Sequence, residues 1–370
     1  MKSLVGPHIE ALIPYAPGKP IEEVERETGV MNPVKLASNE NPLGPSPRAV
    51  AAIEAMLPDL HLYPDGGGFY LKAALSERLD VTPDELILGN GSNELIEILI
   101  RTFLNPGDNV VTSAATFIAY RLATQACDRE MREAPVTDGY GYDLEAMAEL
   151  VDGDTRLIFI ANPNNPTGTL VGADALERFI ARVDATCGDN PPILVLDEAY
   201  LEYVDAPDAP DAMAWYRRRP RVVVMRTFSK AYGLAGFRCG YAVASADLVN
   251  YMNRVRAPFN VNSLALAGAL AALGDAEFID RSVSMNRAEK DRLIEELSAR
   301  GLTVVPSQTN FLLVDFGLPA GAVFQDLMRL GVIVRPMAGY GLLTHQRITV
   351  GTPEENTKLL AAIDALLARD

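Results

Sequence analysis

The chain has 370 residues, 48% of them hydrophobic and 22% charged, which is enough for two domains with large cores and is a globular rather than a disordered composition. Its 33 basic and 49 acidic residues leave a net charge of −16; that argues against a nucleic-acid partner or an anionic membrane surface, although arginines acting at close range can still hold an anionic substrate. Three cysteines (Cys127, Cys187, Cys239) and three histidines (His8, His61, His345) are scattered along the chain. This disfavours a disulfide framework, a metal site and a Ser-His-Asp triad, and suits a reducing cytoplasmic setting.

The first 45 residues are rich in proline and read as an irregular arm lying over the rest of the molecule. They lack the continuous apolar core of a secretory signal, and no apolar run in the chain reaches the ~20 residues of a membrane span. Short β-branched runs then alternate with amphipathic stretches. The runs are ELILG (85–89), NVVTS (109–113), RLIFIA (156–161), PILVLD (192–197), RVVVMR (221–226) and CGYAVA (239–244). ELIEILIRTF (94–103) and DALERFIARVDATC (174–187) have helical spacing. Runs that are apolar throughout suit strands buried on both faces, so the fold class is α/β with a mostly parallel sheet.

After Pro258 a long helical region covers 262–300, followed by strand-like segments within 303–316, 331–337 and 346–351 and helices at 322–331 and 355–369. This pattern reads as a smaller α+β domain. The expected organisation is an arm and small-domain segment over 1–45, a large ligand-binding domain over 46–258 and a C-terminal small domain over 259–370.

In open α/β sheets, ligands bind beyond the carboxyl ends of the strands, and four motifs fall at such ends. Gly89-Asn90-Gly91-Ser92-Asn93-Glu94 links a strand to a helix. Its glycines permit close backbone approach, Ser92 or Asn93 can cap the helix, and the helix N-terminus suits a phosphate; an ordinary turn is the plain alternative. Asn162-Pro163-Asn164-Asn165-Pro166-Thr167-Gly168 makes a stiff loop able to fix an asparagine amide, or is simply a polar loop. Asp197-Glu198-Ala199-Tyr200 puts a carboxylate at the end of an apolar strand, where it needs a cation such as a protonated pyridine nitrogen, or else serves as a cap or structural ion pair. Thr227-Phe228-Ser229-Lys230, continuing to Arg238, puts a lysine just past a buried strand, where the amine form is favoured, with hydroxyls and a guanidinium suited to phosphate. Together these groups are what pyridoxal 5′-phosphate needs: a phosphate cradle, a carboxylate for its ring nitrogen and a nucleophilic lysine.

From LIPYAPGKP and LASNENPLGPSP through LYPD, GNGSNE, ATFIAY, NPNNPTG, DEAY and TFSKAYGLAGFRCGY to VRPM and QRITVGT, the chain resembles the type I fold of pyridoxal-phosphate enzymes and, more narrowly, the histidinol-phosphate aminotransferases. The resemblance implies a mostly parallel, seven-stranded-type sheet in the large domain and a homodimer with shared active sites. It implies that Lys230 forms the Schiff base to the cofactor, Asp197 pairs with the pyridine nitrogen, Asn165 and Tyr200 hydrogen-bond the ring oxygen, and Phe117 stacks on the ring. Ser92, Asn93, Thr227, Ser229 and Arg238 would hold the cofactor phosphate, and Tyr63 would reach the phosphate in the neighbouring subunit. Tyr15, Asn165, Arg335 and Arg347 would bind substrate: histidinol phosphate on one side of the reaction, glutamate or 2-oxoglutarate on the other. Ala115 departs from the proline found there in many relatives, a change expected to affect loop stiffness more than chemistry. The competing activities are those of a broad aromatic aminotransferase and a threonine-phosphate decarboxylase. A non-catalytic regulator of the same fold would carry an added DNA-binding domain, and no segment is basic enough for one.

Overall fold

The structure, a computed structural model, describes residues 3–15 and 18–368. Seven strands form the central sheet, in the spatial order Leu86–Gly89, Gly240–Val243, Val222–Thr227, Ile193–Asp197, Thr155–Ala161, Asn109–Ser113 and Glu130–Ala134. Gly240–Val243 is antiparallel to both neighbours, and the remaining adjacent pairs are parallel. Six strands therefore end at one edge, as expected for an α/β sheet with its ligand site there.

Side chains alternate between the two faces of a strand, and here both faces are buried. Leu194, Leu196, Val222 and Val224 pack on one face with Leu176, Phe179 and Trp215. Val195, Val223 and Met225 pack on the other with Leu95, Leu99 and Met252. Each fully buried aliphatic side chain of this kind contributes about 1.5–3 kcal/mol. The edge strand Glu130–Ala134 was not expected from its sequence. Most of it is half-buried, and Arg132 pairs with Glu130 at 2.8 Å and Asp152 at 2.5 Å, so its charges protect an open edge from further pairing.

The helical region expected over 262–300 consists of two helices, Ser263–Leu273 and Ala276–Ala299. The break is at Gly274-Asp275, where the Asp275 carboxylate accepts from the Phe278 N–H and caps the second helix. Ser263–Leu273 packs on Pro47–Met56, with Ala265, Ala269 and Ala272 in the large-domain core. On this packing we place the end of the large domain after Leu273 rather than at 258.

The small domain is built on an antiparallel sheet ordered Arg335–Pro336, His345–Thr349, Phe311–Asp315 and Thr303–Val305. The strand-like segment within 331–337 switches sheets. Val332–Ile333 pairs in parallel with Val34–Lys35, whereas Arg335–Pro336 joins the antiparallel sheet. The proline-rich first 45 residues are thus not wholly irregular. Helix Ile21–Thr28 buries Val24 against Ala37, Met328 and Ile333, and the short helix Pro7–Glu10 lies beside Ile118–Ala126, where Gln125 donates to the His8 carbonyl at 3.3 Å.

Candidate active site

Beyond the carboxyl edge of the sheet lies a cleft. It gathers Ser92, Asn93, Phe117, Asn165, Asp197, Tyr200, Thr227, Ser229, Lys230 and Arg238, with Ala161, Pro163 and Ala199 completing the wall. Each comes from a strand end, the loop following it or, for Ser92 and Asn93, the first turn of the next helix, so the topology brings together residues more than a hundred positions apart.

Asp197 is the last residue of its strand and only 3% exposed. Its carboxylate accepts from the Tyr120 hydroxyl at 2.7 Å and the Ala199 N–H at 3.2 Å. Burial pushes its pKa up to about 6, against the pull of those donors and of Lys230. Lys230 stands three residues past the neighbouring strand, its Nζ 3.4 Å from the Ser38 carbonyl and 5.6 Å from the centre of the Tyr200 ring. Burial, with Arg347 adding to it, lowers its pKa to about 8. About a tenth of this amine is neutral at pH 7, far more than for a solvated lysine. Tyr200 is buried, accepts from Asn39 Nδ2 at 2.9 Å and has its pKa raised to about 12 by desolvation.

At the other end of the cleft, helix Gly91–Phe103 begins with Gly91 in the left-handed region (φ +73°). A Cβ there would lie 2.6 Å from the Arg238 guanidinium, so only glycine lets the arginine reach the helix start. Contrary to expectation, neither Ser92 nor Asn93 caps this helix. Asn90 is the N-cap residue and makes no side-chain capping bond, while Asn93 Nδ2 donates to Glu97 at 3.3 Å. The positive end of the helix faces the cleft beside Arg238, an arrangement suited to an anion. The Thr227 hydroxyl lies 3.0 Å from Ser229 Oγ and accepts from the Ser229 N–H at 3.1 Å. Gly233 (φ +69°) closes the lysine loop against the Gly44 carbonyl, which a Cβ would approach to 2.1 Å.

Arg335 and Arg347 are directly opposite each other on adjacent antiparallel strands, so their side chains leave the same face. Like charges so placed repel, and an anion between them would relieve that repulsion. Arg347 is 8% exposed, donates to Asn165 Oδ1 at 2.6 Å and to the Ala37 carbonyl at 2.9 Å, and has a buried Nε without a hydrogen-bond partner. Arg335 sits over the Tyr15 ring at 5.3 Å, and Tyr15 is 55% exposed. Tyr63 does not line the cleft of its own chain; it is 83% exposed and stacks on Phe259 at 4.9 Å.

Four residues complete the site that motif reading did not single out. Tyr120 holds Asp197 and stacks on Phe159 at 4.5 Å. Asn39 holds Tyr200. Asn164 donates to the Ala115 carbonyl and to Thr167 Oγ1, both at 2.8 Å, and accepts from Thr116 Oγ1 at 2.9 Å. Burial pushes the pKa of the Tyr340 hydroxyl up, against the opposing pull of Arg347. Tyr120 and Asn39 lie within ATFIAY and LASNEN, blocks that had been noted without these two residues being given roles.

Residues 31–363 match the family Aminotransferase class I and II. The chain is 50% identical to histidinol-phosphate aminotransferase 2 of Pseudomonas aeruginosa over 100% of this chain and 99% of that protein. It is 51% identical to the histidinol-phosphate aminotransferase of an Anaeromyxobacter species over 98% and 99% of the two chains. Among solved structures, the histidinol-phosphate aminotransferase of Sinorhizobium meliloti in complex with pyridoxal-5′-phosphate superposes with a TM-score of 0.88 at 29% identity, covering 99% of both chains. The cleft fits that cofactor on its own chemistry. Asp197 is a buried carboxylate with no cation among its hydrogen-bond partners, the Gly91 turn leaves a cradle for an anion, and Lys230 supplies an amine between them. Sequence, fold and donor set agree: the chain belongs to the class I and II aminotransferases and is a pyridoxal-phosphate-dependent transaminase.

Proposed function

We propose that the protein transfers the amino group of L-histidinol phosphate to 2-oxoglutarate, giving imidazole acetol phosphate and L-glutamate, a step of histidine biosynthesis. The observation that carries this reading is the facing pair Arg335 and Arg347, backed by relatives of about half-identical sequence that bear this activity in their names. A planar guanidinium fork matches both a carboxylate and a phosphate, so one pair of side chains serves both substrates in turn.

Pyridoxal phosphate, when bound, supplies the electron sink for the bond broken at the substrate Cα. Ser92, Asn93, Thr227, Ser229 and Arg238 would hold its phosphate. Asp197 would serve the ring nitrogen, where its buried carboxylate would favour a proton. Phe117 would offer a ring to stack on, while Tyr200 and Asn165 would serve the ring oxygen; with Asn165 Oδ1 engaged by Arg347, its Nδ2 is left as the donor. Lys230 Nζ, partly neutral, takes the proton from the substrate Cα. Tyr15 and Tyr340 close the anion site around the arginines.

The active form is a cytoplasmic homodimer. Leu57, Leu60, Leu62, Tyr63, Phe69 and Tyr70 are all at least half exposed, an apolar surface suited to a second copy, and Tyr63 reaches the neighbouring cofactor phosphate from it. Among the described residues no helix is long and apolar enough to cross a membrane.

A second reading, a broad aromatic aminotransferase, is favoured by the apolar groove of Ile9, Leu12, Ile13, Ile118 and Leu122 that adjoins Phe117. Rates with L-histidinol phosphate and L-phenylalanine separate the two. A kcat/KM ratio of ~100 or more in favour of histidinol phosphate, about 2.7 kcal/mol of discrimination, is expected; a ratio near one or below gives the aromatic reading. Arg347→Lys keeps the charge but loses the fork. It is expected to raise KM for histidinol phosphate and 2-oxoglutarate about 30-fold each with a smaller change in kcat, and unaltered KM values would refute the anion role.

A further inference from the structure

Residues 136–142 form a tight hairpin between the two domains. Val136 and Tyr142 pair as an antiparallel bridge at its base. The Tyr140 N–H donates to the Thr137 carbonyl at 2.9 Å, and the Gly141 N–H to Thr137 Oγ1 at 3.1 Å. Tyr140, at the tip, has φ +62°, a conformation that a bulky residue keeps only where its surroundings hold it.

The two tyrosines of this hairpin reach in different directions. The Tyr142 hydroxyl accepts from the Ala161 N–H at 2.9 Å, lies 2.7 Å from Thr116 Oγ1 and donates to Asn164 Oδ1 at 3.3 Å. Thr116 and Asn164 directly precede Phe117 and Asn165, so the hairpin base is built into the wall of the cleft. The Tyr140 hydroxyl is 3.0 Å from His345 Nε2, with the two rings 5.0 Å apart, and its ring packs on the small-domain cluster of Val305, Leu313, Met337 and Leu342. His345 is buried, with Thr344 Oγ1 3.3 Å from its Nδ1 and the Asp315 carboxylate 3.9 Å from its Nε2. Two residues along the same strand, on the same face, is Arg347.

We infer that this hairpin positions the arginine pair: Tyr140 ties the strand that carries Arg347 to the wall of the cofactor cleft, and so sets how well Arg335 and Arg347 meet the anionic group of the substrate. Domains joined by few contacts shift relative to one another by default, and an anion site shared between them gains affinity when its geometry is fixed beforehand. Tyr140 is thus a positioning residue that touches neither substrate nor cofactor. This inference rests on the reading of Arg335 and Arg347 as the anion site.

Calorimetric titration of the holoenzyme with maleate, an unreactive dicarboxylate, tests it beside steady-state kinetics. Tyr140→Ala is expected to weaken maleate about tenfold and to raise KM for 2-oxoglutarate by a similar factor, with kcat changed by less than about threefold. Tyr140→Phe keeps the ring and loses only the bond to His345, and about a threefold weakening is expected. Unchanged maleate affinity in both variants, beside weakened binding in Arg347→Lys, overturns the hairpin's role. Unchanged affinity in Arg347→Lys removes the anion site itself, and the inference with it. A fall in kcat with maleate affinity and KM intact also overturns it.

Discussion

Replacing Lys230 by alanine is expected to lower kcat about 10⁴-fold while the protein stays folded. The amine is the group in the cleft suited to take the proton from the substrate Cα. Of the other polar side chains lining it, Asp197 is held by Tyr120 and Ala199, Tyr200 is pushed up to about 12, and the Arg238 guanidinium carries only N–H donors. Stability should not suffer. Burial already disfavours the Lys230 ammonium, so removing it relieves a desolvated charge rather than breaking an ion pair. Single-turnover absorbance after addition of the amino donor and a thermal melt check both halves. A rate within tenfold of wild type would mean that another group moves the proton.

Asp197→Asn is the second large effect, with kcat expected to fall about 10³-fold, the scale seen when a fixed electrostatic partner is lost from a dry site. The substitution keeps the shape, and the Tyr120 hydroxyl can still donate, so the change isolates the charge. It also alters stability in a direction set by the sign of the pKa shift. In the folded, cofactor-free chain the carboxyl titrates near 6, above its unfolded value of about 3.9. The folded state therefore binds this proton more tightly. The stability it contributes is complete below about pH 4 and is lost as pH rises through about 6, with about 1 kcal/mol of the loss between pH 5.5 and 7.5. Urea midpoints of the cofactor-free protein at those two pH values should fall more steeply for wild type than for Asp197→Asn. Parallel falls would show that Asp197 does not titrate there.

Much of this architecture can be read from the chain because the physics is local. The central strands are mostly apolar and buried, and several end in a motif whose chemistry points outward, so the sheet and the lysine, aspartate and asparagine at its edge were accessible. Glu130–Ala134 was missed because an edge strand carries charges where a buried one carries valine. The break at Gly274-Asp275 was missed because helical spacing continues on both sides of it, and only the Asp275 cap shows the new start. The capping role given to Ser92 or Asn93 failed because the helix already begins at Gly91, which puts both residues inside its first turn. Tyr120, Asn39 and Tyr140 act through partners far away in the chain, as in the pairing of Asn39 with Tyr200. No spacing rule connects such positions.

The one reversed strand also bears on how the molecule comes to be assembled. Val222–Thr227 and Gly240–Val243 are neighbours in sequence as well as in space, so their pairing is a short-range event. Leu86–Gly89 pairs with the far side of Gly240–Val243 across about 150 residues of chain, a loop closure that costs more entropy than the hairpin beside it. The approach of Arg238 to Gly91 depends on that long-range pairing. If Arg238 and this helix start hold the cofactor phosphate as proposed, retention of the coenzyme would require the two strands to be paired, and its visible absorbance would report that pairing.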